Sequence, residues 1–233
     1  MPTHPYRIAV YVAVFGGYDC IEEPKCKPDN IDYYVITDAS PDKYISSAWK
    51  YVDISKYNDT IHGYSSRKKS RFFKMHPQLL FSDYEYSVFL DGSFTVIGDL
   101  NDFIIKIGAY DLVTYKHWTR HCVYEEAKAI IKQRKDTLES VNKHIKHLKR
   151  DGMPYNYGLI SSGILARRHT SLNKQIMDFW WDECSKFSIR DQLSLPYVLY
   201  KLGIPVGKIT KLGIMPMKGD SYVLHQKHCK KGN

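Results

Sequence analysis

The chain has 233 residues and 43% hydrophobic content, enough to bury a full core, and its formal charge of +9 implies an acidic partner: a nucleotide diphosphate, nucleic acid or an anionic membrane surface. Cys20, Cys26, Cys122, Cys184 and Cys229 are odd in number and lack the paired Cys-x2-Cys spacing of a zinc site, so reduced thiols in a cytosol are expected. The first apolar segment is too short for a signal-peptide core or a bilayer span, so a soluble, cytoplasmic chain is expected, either whole or as one domain of a longer protein.

Arg7 to Phe15 is an uninterrupted apolar run that reads as a buried parallel strand, broken by Gly16-Gly17. A loop follows to about Asn30, then strands over Asp32 to Thr37 and Trp49 to Ile54, and a basic helix over Arg67 to Leu80. Tyr86 to Leu90 is a fourth strand, Leu100 to Ile107 a short helix and Asp111 to Tyr115 a strand. Tyr124 to Arg150 reads as one long helix with an apolar stripe of Ile131, Leu138, Val141, Ile145 and Leu148; its lysines read first as the solvated surface of a helix docked on the domain, with a basic face for an anionic membrane or a dimer partner as the alternative. Gly158 to Arg167 returns to strand character, and Asn173 to Lys186 and Asp191 to Leu202 are helices. Strands alternating with helices predict an α/β fold, with a mainly parallel sheet flanked by helices and a single domain over residues 1–233.

Five places could carry chemistry. Tyr86-Ser-Val-Phe-Leu-Asp91-Gly92-Ser93 delivers a carboxylate, a glycine and a hydroxyl at a strand exit, where open α/β sheets bind ligands. Phe15-Gly16-Gly17-Tyr18 lets backbone pass close to a base or ribose. Arg67, Lys68, Lys69, Arg71 and Lys74 are spaced to meet a diphosphate from one helix. Lys116-His117-Trp118-Thr119-Arg120 follows a strand and precedes Glu125 and Glu126. Toward the C-terminus, Ser161-Ser162-Gly163 offers a polar strand edge, and Arg190-Asp191-Gln192 offers a cation, a carboxylate and an amide to hydroxyl groups. Trp180 and Trp181 are adjacent on a helix and cannot share a face.

In this order the residues resemble the TOD/MUCI-type glycosyltransferase-like family. The resemblance rests on Ala13-Val-Phe-Gly-Gly-Tyr-Asp19, Arg71-x-x-Lys74-x-His76-Pro77, Phe89-Leu-Asp91-Gly-Ser93 and Lys116-His117-x-x-Arg120-x-x-Val-Tyr-Glu125-Glu126. It continues through Arg167-Arg168-His169, Trp180-Trp181 and Arg190-Asp191-Gln192-Leu193-Ser194. Ser162-Gly163-Ile164-Leu165 with Asp191-Gln192 is more distantly similar to elements of glycosyltransferase family 8.

The resemblance implies a Rossmann-like glycosyltransferase A domain that moves a hexose-type sugar from a nucleotide diphosphate to an acceptor hydroxyl on a glycan or polysaccharide. It implies metal assistance by Mn²⁺ or Mg²⁺ at Asp91, with Ser93 standing where that fold usually has a second aspartate and His225 or His228 completing the site. Phe15, Gly16, Gly17, Tyr18, Arg67, Arg71, Lys74, Asp91, Gly92, Ser93, Ser162, Gly163 and Gln192 would meet the donor, and His117, Arg120, Glu125 and Asp191 would shape the sugar and acceptor pocket. Asp191 is the first candidate base and Glu125 the second. The alternatives are a metal-dependent hydrolase of a lipid amide and a non-catalytic module binding glycan or nucleic acid. No sequence-specific nucleic-acid partner is expected.

Overall fold

A computed structural model describes residues 6–45, 47–226 and 228. Its centre is a six-stranded sheet in the order β3-β2-β1-β4-β7-β6, formed by β1 (Ile8–Val14), β2 (Ile31–Thr37), β3 (Trp49–Tyr51), β4 (Tyr86–Leu90), β6 (Leu112–Lys116) and β7 (Ile160–Arg168). β1 pairs in parallel with β2 and β4, β2 in parallel with β3, and β7 runs antiparallel between β4 and β6. The chain steps outward from β1 to β3 and returns to the other side of β1 at β4. Such a reversal opens a crevice at the carboxyl ends of the two strands.

The apolar run of β1 is buried on both faces. Ala9, Tyr11, Ala13 and Phe15 join one core with Phe73, Phe89 and Trp180, whereas Ile8, Val10 and Val12 join a second core with Leu90, Val113 and Ile164. Period-two alternation between two apolar layers is why no polar residue interrupts the strand. Helices α1 (Ser66–Met75), α5 (Ser171–Lys186) and α6 (Asp191–Lys201) cover the first face. Trp180 is fully buried and Trp181 half-buried beside Tyr64, Phe72 and His76, so the two do occupy different faces.

The expected long helix is two helices. α3 (Val123–Lys132) is followed two residues on by Arg134, whose φ of 52° is left-handed, and α4 (Leu138–Arg150) starts afresh where the Thr137 hydroxyl accepts from the Ser140 amide. Val141 and Leu148 of the expected stripe are buried, but Leu138 is exposed at the new N-terminus. Among the described residues no helix is long and apolar enough to cross a membrane.

The strand expected from Trp49 ends at Tyr51. α2 (Asn101–Ile105) is shorter than expected, and α7 (Val206–Ile209) and a two-stranded sheet of β5 (Phe94–Val96) with β8 (Val223–His225) were not anticipated. Cys26, Cys122 and Cys184 are free thiols, whereas Cys20 is disulfide-bonded, which corrects the expectation of uniformly reduced cysteines; Cys229 lies outside the described residues.

Candidate functional site

The crevice at the ends of β1 and β4 is a cavity of about 580 Å³ lined from β1 and its exit by Ala13 to Phe15, Tyr18 and Asp19. Ser65, Ser66, Arg67, Ser70 and Arg71 line it from the start of α1, Asp91 and Gly92 from the exit of β4, and Lys135, Arg190 and His228 from more distant segments. Of the glycines expected at the site, Gly92 lines the cavity, whereas Gly16 and Gly17 lie in the β1 exit between lining residues Phe15 and Tyr18 without lining it themselves. Gly16 and Gly17 have φ of 66° and 62°, and the Gly16 amide donates to both Asp38 oxygens at 2.9 and 3.0 Å. At Gly92 a Cβ would lie 2.5 Å from Val14 Cγ2 and 2.9 Å from Asp19 Cβ, so only glycine allows β4 to pass its neighbour here.

Behind the cavity wall is a buried ion cluster centred on Asp191, which is 2% exposed. Its Oδ2 accepts from Lys74 Nζ at 2.5 Å and Ser162 Oγ at 3.0 Å, with Arg71 Nε 3.1 Å away, and its carbonyl accepts from Trp180 Nε1. Burial would raise the Asp191 pKa, but the Arg71 and Lys74 cations outweigh it and hold the carboxyl well below the usual range. A carboxylate so depressed and so engaged is a poor proton acceptor at neutral pH. Asp191 is instead the counter-ion that orients Arg71 and Lys74. Arg71 also reaches toward Asp91, with Nη1 3.8 Å from Oδ1, and thereby links the hidden cluster to the more exposed carboxylate in the cavity.

His117 and Arg120 are brought together, but not with Glu125. The His117 Nδ1 accepts from the amides of Thr119 and Arg120 at 3.2 and 3.0 Å, and Arg120 pairs with the buried Glu126. Burial pushes the His117 imidazole down to about 4, so it is neutral and caps the turn. Glu125 faces solvent one residue away on α3, its carboxylate 3.5 Å from the His121 amide. The helical phase therefore exchanges the two glutamates relative to expectation. Gln192 reaches only the Ile160 carbonyl, at 3.5 Å, and Gly163 packs its Cα face against Asp91, where a Cβ would be 3.1 Å from Oδ2.

The three residues expected for a divalent cation are not assembled as one. Ser93 is buried, with its carbonyl accepting from the Gln226 amide. His225 stacks on Phe94 and its Nδ1 meets the Met217 carbonyl at 3.0 Å, a β8 position outside the cavity lining. His228 does line the cavity, 2.7 Å from Asp19 Oδ1 and packed on Tyr18. No group of three or more His, Cys, Asp or Glu among the described residues is placed to hold a metal. Asp91, already beside Arg71, does not fit a Mn²⁺ or Mg²⁺ centre with Ser93 and His225.

Asp38, Lys135 and Glu126 were not singled out as site residues from sequence. Lys135 reaches the cavity because the α3–α4 turn is tied on both sides: Arg67 Nη1 donates to the Lys135 carbonyl at 3.0 Å and Ser188 Oγ donates to Asp136 Oδ2 at 2.6 Å. No local pattern announces such ties. Arg190 stood in a motif and was passed over for its acidic neighbour.

The family model of the TOD1/MUCI70, glycosyltransferase-like domain matches residues 3–217. A curated relative, the probable hexosyltransferase MUCI70 of Arabidopsis thaliana, is 21% identical over a 224-residue alignment that covers 84% of this chain but only 37% of the relative's length. Among solved structures, the galactosyltransferase LgtC in complex with donor and acceptor sugar analogues superposes with a TM-score of 0.52 at 12% identity, covering 96% of this chain and 87% of that one. The WbbM bifunctional glycosyltransferase gives 0.51 at 12% identity, over 94% of this chain and 40% of that one. At these identities the superpositions show the fold, which is the glycosyltransferase A fold. The family match spans the ion cluster and every residue lining the crevice except His228, and the chain belongs to the TOD1/MUCI70 glycosyltransferase-like family.

Proposed function

We propose that the chain transfers a hexose-type sugar from a nucleotide-diphosphate donor held in this crevice to a hydroxyl of a glycan acceptor. The observation that carries this reading is the juxtaposition, at the β1–β4 reversal, of a glycine-opened floor, the half-exposed Asp91 and a basic wall from α1. Gly92, with no side chain, lets the nucleotide approach the backbone at the β4 exit. Asp91 receives a ribose or sugar hydroxyl, and Arg71, kept in place by Asp191, faces the phosphates. In the transfer, the acceptor oxygen bonds to the anomeric carbon as that carbon's bond to the diphosphate oxygen breaks. The electron pair leaves on the phosphate. Neither Asp191, buried and ion-paired, nor Glu125, on the solvent face of α3, is presented to the cavity as a free base, so the hydroxyl proton passes to the departing phosphate.

The test is release of nucleoside diphosphate from a panel of nucleotide sugars, offered with oligosaccharide acceptors. Turnover by the wild type and its loss in Asp91→Asn, with an unchanged melting temperature, is the expected result. Failure of every donor to turn over or to bind would leave the non-catalytic glycan-binding alternative.

A further inference from the structure

The charges on the cavity wall do not balance. Arg67, Arg71, Lys135 and Arg190 line it as cations, against the carboxylates of Asp19 and Asp91. Those two carboxylates are already engaged, Asp19 by His228 and Asp91 by Arg71, and deeper in, Asp191 is shared by Lys74 and Arg71. Arg67 spends one donor on the Lys135 carbonyl, a neutral group, and Arg190 Nε is buried without a hydrogen-bond partner among the described residues. Burial lowers the Arg190 pKa despite Asp191, with Arg71 and Arg67 adding to the effect, and burial with Arg190 lowers that of Lys135. Cations crowded against one another in this way are stabilised by an incoming anion.

Helix α1 repeats the pattern. It begins at the cavity with Ser65 and Ser66, has no acid in its first turn, and places Arg67, Lys68 and Lys69 there instead. Basic residues at a helix N-terminus oppose the macrodipole and weaken the helix. An anion bound at that end reverses both the repulsion among the cations and the unfavourable dipole contact.

Resting on the donor-site reading above, we infer that Arg67, Arg71, Lys135 and Arg190 take the donor's diphosphate directly, so that nucleotide binding requires no divalent cation. Guanidinium groups meet phosphate oxygens through paired hydrogen bonds. As the bond between the anomeric carbon and the phosphate oxygen breaks, the electron pair that moves onto the phosphate is met by cations already fixed in place, the part a divalent ion plays elsewhere.

The experiment is isothermal titration calorimetry of the purified chain with UDP, GDP, ADP and inorganic pyrophosphate. Each titration is run in metal-stripped buffer and again with Mn²⁺. The expected result is that one nucleoside diphosphate binds in metal-stripped buffer and that Mn²⁺ does not tighten it. Arg190→Gln and Arg67→Gln each weaken that binding by about ten- to a hundredfold, the loss of one charge-assisted contact. Lys128→Gln, an exposed lysine outside the cavity lining, leaves binding unchanged, and melting temperatures verify that all three variants are folded. Binding that appears only with Mn²⁺, or metal-free binding indifferent to both arginine variants, overturns the inference and leaves the donor site standing. Absence of binding in both buffers overturns the donor-site reading as well.

Discussion

Each end of the sheet carries an aspartate flanked by two cations, and the two ends use it differently. At the amino end, Asp32 accepts from Arg7, from Lys50 at 2.5 Å and from the Tyr84 hydroxyl at 2.7 Å, and both cationic side chains are more than half exposed. Water screens such a pair, and its contribution to stability is small. At the carboxyl end, Asp191, Lys74 and Arg71 are withdrawn from water, where desolvation opposes the ion pairing and removing one partner is severe. The solvated cluster joins neighbouring strands. The buried one holds the same one-to-two ratio of carboxylate to cations away from water and against a cavity, an arrangement that stability alone does not favour.

The contrast can be broken most directly by Asp191→Ala, which leaves Lys74 and Arg71 buried without their counter-ion. It should lower unfolding free energy by about 3–5 kcal/mol in denaturant titration. Asp91→Asn, at the accessible side of the same cluster, should instead cut turnover by about a hundredfold while leaving thermal stability nearly intact. Gly92→Ala forces a methyl against Val14 and Asp19, and overpacking of that kind should cost about 1–3 kcal/mol, read by calorimetry.

The acid limb sharpens the comparison. Burial raises both Asp32 and Asp191, yet their cations and hydrogen-bond donors win and depress each pKa. A depressed carboxyl contributes stability above its unfolded pKa of about 4, and that stability is lost as pH falls toward the folded value. Melting temperature should therefore drop below about pH 4, and slightly less steeply in Asp32→Asn than in the wild type. At neutral pH, Asp32→Ala should cost less than about 1 kcal/mol, the smallest effect of the set.

Much of the sheet was legible because its signals are local. Seven consecutive buried residues in β1 and the apolar run ending at Asp91-Gly92 need no knowledge of their neighbours to be read as strands at a site. The break between α3 and α4 was missed because neither glycine nor proline marks it; the Thr137-x-x-Ser140 cap was the available signal. β5 and β8 are three residues each, and only their mutual pairing makes them strands. Asp191 was legible as a site residue but not in its part, since its two cations come from a helix more than a hundred residues earlier in the chain. Lys135 and His228 arrive at the cavity through turns and tails whose direction no spacing encodes.

The antiparallel strand β7 also bears on how the molecule is made. It pairs Leu90 with Ile164 and Tyr86 with Arg168, and on its other edge it pairs with β6. During synthesis, β1 to β4 leave the ribosome before β7, and Val88, Phe89 and Leu90 offer an unpaired, wholly apolar edge until residue 168 has followed. Closure of the sheet waits on that late, non-local pairing. A nascent chain that has released β4 but not yet β7 therefore exposes an unpaired apolar strand edge, and that interval coincides with the making of α2 through α4.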